Sequence, residues 1–167
     1  MNTRKRRGMG RLLIAIALLA ACQPADAPRI EPAAAPTPPP AVVVNVPEIA
    51  GRSEAEVAHI LGGAKERSTA THGGETYPAL YYQEGQTEVV YVEGKAEWIS
   101  VRNLSHLPFS TEALAALGIT NAGEPSFVSE DVIRWDNRKY PMLHGVHLFH
   151  QQGGRLDYAF IQVSRAP

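Results

Sequence analysis

EVVYVEGKAEWISV, residues 88–101, decides how the folded part of this chain is read. Thr87 to Val92 is β-branched, and Ala96 to Arg102 is the run that follows it. Glu93-Gly94 or Gly94-Lys95 supplies the tight turn between them, so the two runs predict a hairpin. Strand alternation puts Trp98 and Ser100 on one face and Glu97, Ile99 and Val101 on the other. Ile99 and Val101 suit the interior. Trp98 is left as the candidate exposed aromatic, and so as the candidate partner-binding residue.

Working outward, Ala79 to Gln83 predicts a short aromatic strand before this hairpin, with Glu84-Gly85 as its turn. Residues 64–77 are polar and glycine-bearing and read as a loop. Ahead of them, Ser53 and Glu56 have the spacing of a capping box. Val57, Ile60 and Leu61 follow at helical intervals until Gly62-Gly63 stops the helix. After the hairpin, Thr111 to Leu117 predicts a second short helix, capped by Ser110 or Thr111 and closed by Gly118. Asp131 to Asp136 predicts a strand, turned at or near Asn137-Arg138. Gly145 to His150 and Leu156 to Val163 predict another hairpin around Gly153-Gly154. That hairpin echoes the first, Gly154-Arg155-Leu156-Asp157-Tyr158 matching Gly94-Lys95-Ala96-Glu97-Trp98 in residue type. The expectation is an α+β fold of two helix-plus-three-strand units forming an antiparallel sheet with helices on one face, after a disordered linker.

The beginning of the chain carries an address. Arg4, Lys5, Arg6, Arg7 and Arg11 precede an apolar run of nine residues, Leu12 to Ala20, too short for the ~20 that span a bilayer. Leu19-Ala20-Ala21-Cys22 resembles the bacterial lipobox, in which the cysteine is lipidated and the signal is cut before it. Cys22 is the sole cysteine, so no intrachain disulfide is available. Gln23 follows where an aspartate would resemble an inner-membrane retention signal, which favours the outer membrane and its periplasmic face. Residues 23–41, QPADAPRIEPAAAPTPPPA, hold repeated prolines and little apolar bulk, so they predict an extended spacer. Ala41 to Val46 is either an added strand or the tether's last extended part. The division is therefore signal 1–21, lipidated cysteine and tether 22–46, and α+β domain 47–167.

GRSEAEVAHILGGA, residues 51–64, resembles the opening of the SmpA/OmlA family of small outer-membrane lipoproteins, through Gly51, Ser53, Val57, Leu61, Gly62 and Ala64. Ala64 stands where that family usually has proline. The resemblance implies a helix followed by a strand pair, and attachment to the barrel-assembly machinery. The repeated helix-then-sheet pattern is similar to the β-lactamase inhibitor protein, which implies a module that blocks an enzyme. VPEIAGRSEAEV, residues 46–57, resembles the start of a PASTA repeat, which implies peptidoglycan binding.

Charge and motifs narrow the function classes. The chain has 16 basic and 17 acidic residues; losing the five basic residues before Cys22 leaves 11 against 17, about −6. Such a chain has no electrostatic footprint for nucleic acid, and its hold on a membrane must come from the lipid. His144, His147 and His150 are three apart, a spacing that alternation along a strand does not converge on a metal. Glu130 and Asp131 beside Ser129 read as a strand cap or a solvated pair and not as an acid pair facing across a substrate bond. No Gly-x-Ser-x-Gly elbow, His-Glu-x-x-His pair or phosphate loop occurs. The expectation is a non-catalytic domain without cofactor or metal that recognises an envelope protein, with a cell-wall binder or a periplasmic enzyme inhibitor as alternatives.

Overall fold

The computed structural model describes residues 40–136, 142–151 and 153–163, all within one unit, Thr37–Pro167. The expected signal, Cys22, nearly all of the tether and the turn at Asn137-Arg138 lie outside the described residues. The elements are α1 (Val46–Ile49), α2 (Glu54–Leu61), β1 (Glu66–His72), β2 (Glu75–Tyr82), a 3-10 turn (Gln83–Gly85), β3 (Thr87–Val92), β4 (Lys95–Val101), a 3-10 helix (Thr111–Leu117), β5 (Phe127–Val128), β6 (Val132–Asp136), β7 (Leu143–Gln151) and β8 (Arg155–Val163).

All eight strands form one antiparallel sheet in the order β1-β2-β3-β4-β8-β7-β6-β5. This corrects the expected fold of two helix-plus-three-strand units. Strands dominate, and the helices are few and short. The difference has a physical source at β1, Glu66–His72, which lies in the polar stretch expected to be a loop. Six of its seven side chains are exposed and none is fully buried, so no alternation marks it in the sequence. It is a strand because its backbone pairs with β2 along its whole length, from Glu66↔Tyr81 to His72↔Glu75. The second helix is a single 3-10 segment, capped by the Ser110 hydroxyl accepting from the Glu112 N–H at 3.3 Å.

The core fills one side of the sheet. Leu80 and Tyr82 of β2, Val89 and Tyr91 of β3, and Ile99 and Val101 of β4 point into it, with Trp135, Leu148 and Ile161 from the other half. The helices cover it with Val46, Ile49, Val57, Leu114 and Leu117. The capping box forms as its residues dictate: the Ser53 N–H donates to a Glu56 carboxylate oxygen at 2.9 Å, and the Glu56 N–H donates to the Ser53 hydroxyl at 3.5 Å. Only Val57 of α2 is fully buried, while Ile60 is exposed, so the helix rests on a narrow stripe. Packed structure begins before α1. The Val43 N–H donates to the Ala116 carbonyl at 2.7 Å, and Val44 is buried. There Gly118, at φ +69, closes the 3-10 helix so near Asn45 that a Cβ would collide with it.

Candidate functional site

Among the described residues, no helix contributes a buried residue to the other face of the sheet. Register fixes which side chains share that face, because directly paired residues point the same way. Tyr81, Glu88, Ser100, Phe160, His147, Arg134 and Phe127 stand opposite one another in successive pairs. They make one row across seven strands. A second row runs Ala79, Val90, Trp98, Gln162, Gly145 and Asp136. Tyr158, Phe149 and Val132 form a shorter third.

The rows are held in place by their own contacts. Glu88 accepts from the Tyr81 hydroxyl at 3.1 Å and from Arg102 Nη2 at 2.5 Å, and the Arg102 guanidinium lies 6.0 Å from the Tyr81 ring centroid. Burial, then the bond to Glu88, pushes the Tyr81 phenol above its ordinary pKa. Phe149 and Tyr158 stack at 4.4 Å with planes 10° apart. His147 lies between Phe160 and Phe149, at 6.0 and 6.2 Å between centroids. Burial, then the Arg134 charge, lowers its pKa, with Asp136 opposing. Arg134 Nε is 3.1 Å from an Asp136 carboxylate oxygen without hydrogen-bond geometry, and its guanidinium lies 5.5 Å from the Phe127 ring centroid. Beside Tyr158 is a shallow depression of about 470 Å³ lined by Ser100, Arg102, Asn103, Asp157 and Tyr158.

No family model, curated protein or solved structure matches this chain. Aromatic rings interleaved with arginine are the side chains that protein interfaces favour, since they offer large apolar area with a polar tip. Among the described residues no group of three histidine, cysteine or acidic side chains could hold a metal ion. His144 falls at a register shift, His147 is on the open face, and His150 accepts from the Gly154 N–H at 3.0 Å beside Phe109. Ser129 is a turn residue, its hydroxyl accepting from the Asp131 and Val132 N–H groups at 3.2 and 3.1 Å.

Trp98 lies on the face that alternation assigned to it, yet it is only 9% exposed. His72 and Tyr77 cover it, with ring centroids 4.6 and 5.3 Å away. Beyond Trp98, burial is the default expectation for large aromatic side chains, yet several stand on the open face. Their signal was present: Tyr158, Phe160 and Gln162 alternate with the buried Ala159, Ile161 and Val163. Cys22 lies outside the described residues.

Proposed function

We propose that this chain is an outer-membrane lipoprotein held by lipid on Cys22 and spaced from the bilayer by its proline-rich tether. Its open sheet face binds an envelope protein in the periplasm without catalysing a reaction. The observation that carries this reading is the row from Tyr81 to Phe127, which combines aromatic rings with arginine beside it and within it and, among the described residues, has no helix over it. Lipid confinement would raise the local concentration of that face toward membrane-associated partners.

Two variants in intact envelopes test it. Cys22→Ser should move the protein from the membrane to the soluble periplasmic fraction. A photo-crosslinking side chain at Tyr158 or Phe127 should give a discrete protein adduct, while one at Ile60, exposed on α2, should not. Adducts from Ile60 alone, or from no position, refute the reading. Cell-wall glycan binding is a second reading favoured by one observation, the depression whose aromatic ring, guanidinium, amide and carboxylate suit a polyhydroxylated ligand. Sedimentation with purified peptidoglycan, lost in Tyr158→Ala, would select it.

A further inference from the structure

The β1–β2 ribbon leaves the sheet part-way along. β1 and β2 pair out to His72↔Glu75, whereas β2 pairs with β3 only from Ala79↔Val90 to Tyr82↔Thr87. Pro78 marks the parting point for a reason of hydrogen bonding. The Arg102 N–H donates to the Gln86 carbonyl at 2.8 Å, in register with Glu88↔Ser100. Even-numbered β3 residues therefore face β4, odd-numbered ones face β2, and the rung after Leu80↔Val89 would join Pro78 to Tyr91. Proline has no N–H to donate there. Residues 69–78 consequently form a two-stranded arm, and such a ribbon is marginal in water without a surface to rest on.

The arm rests on Trp98. β1 and β4 are three strand spacings apart, ~14 Å in a flat sheet, yet the His72 and Trp98 ring centroids are 4.6 Å apart. The arm is thus folded over the open face, with Tyr77 edge-on to Trp98 at 5.3 Å and Ala70 packed on the same cluster of Ala79, Val90, Val92 and Trp98. Gly73 and Gly74, both at positive φ, turn the tip.

We propose that the Trp98 surface is a concealed docking site, closed by this arm in the free protein and opened when an aromatic side chain on an extended segment of the envelope partner takes the place of Tyr77. The closed contact itself defines the ligand, since it displays what this surface accepts. The proposal rests on the reading of the open face as a partner surface, but the arm can be examined on the protein alone.

Ser68 pairs with Ala79, so an Asn-Gly turn can join them directly and delete the arm beyond. The full chain in detergent micelles, labelled with 5-fluorotryptophan, has two fluorine resonances, from Trp98 and Trp135. In the parent, neither should respond to exchange of H2O for D2O. In the shortened variant and in Tyr77→Ala, only the Trp98 resonance should respond, with unchanged Trp135 reporting an intact core. Titrating N-acetyl-L-tyrosinamide should then shift Trp98 alone, and much less in the parent. A Trp98 resonance that stays insensitive after shortening, or tyrosinamide shifts that are absent or shared with Trp135, overturns the proposal. An exposed, tyrosinamide-binding Trp98 together with no crosslinked partner from either Tyr158 or Phe127 would sink the partner reading and leave the arm's closure standing.

Discussion

Tyr82 and Tyr91 meet in the core with their hydroxyls 2.8 Å apart, at 0% and 4% exposure. Replacing either by phenylalanine removes one oxygen and leaves the other hydroxyl buried without that partner. An orphaned buried polar group costs about 1–3 kcal/mol, whereas removing both partners of such a pair is close to neutral. Tyr82→Phe and Tyr91→Phe should each destabilise by about 1–2 kcal/mol, and the double variant should cost less than their sum, with a coupling of at least about 1 kcal/mol. Urea unfolding followed by circular dichroism gives all four corners of the cycle. Additive single effects would refute the claim that the two hydroxyls satisfy each other. Alkaline titration supplies an independent reading. Burial, with the partner hydroxyl acting second, raises the Tyr91 phenol far above its usual range, and burial raises Tyr82 as well. Raised folded pKa values mean stability that is complete below the unfolded pKa near 10 and is lost as pH climbs above it.

Ser53→Ala should cost about 1 kcal/mol of stability by removing the α2 cap. Glu56, held down to about 2 by its bonds to the Ser53 backbone and hydroxyl, should give the parent stability present above its unfolded pKa and lost as pH falls through about 2; an acid limb identical in Ser53→Ala would contradict this. His147 has a lowered pKa, so its contribution should be complete above the unfolded value near 6.5 and decline on acidification. His147→Phe should flatten that part of the profile in thermal unfolding at pH 5 against pH 7, and an unchanged slope would count against the burial assigned to it. Gly118→Ala should destabilise by at least about 1–2 kcal/mol, from the left-handed backbone alone, with the Asn45 collision added. A neutral effect in urea titration would show that residues 43–45 do not pack there.

What the sequence revealed about this fold followed what the core demanded. β3 and β4 were legible because Val89, Ile99 and Val101 alternate into a buried layer. β1 was not, because an edge strand exposed on both sides is specified by backbone pairing and carries no hydrophobic pattern. Two-residue β5, with Phe127 and Val128 both exposed, is illegible for the same reason. The face of Trp98 was predictable from alternation within β4, although a bulge opposite Val90-Tyr91 gives that strand one extra residue. Its concealment was not, since the cover comes from a segment read as loop. The row across seven strands needed the strand order, and local sequence does not encode which strands become neighbours.

The seam between β4 and β8 has a consequence for how the chain reaches its final form. Trp98↔Gln162 through Val101↔Ala159 are the pairs that join the two halves of the sheet, and β8 is the last of the described strands to be made. During synthesis, β4 must wait for nearly the whole of the second half before its outer edge is closed, and such distant pairings form slowly. Until then Trp98, Ile99 and Val101 stand on an open edge, the kind of template that recruits other chains. A chain ended before Arg155 should accordingly precipitate at concentrations where the full chain stays in solution. In the cell the interval before closure is when this protein is most prone to pair with other chains.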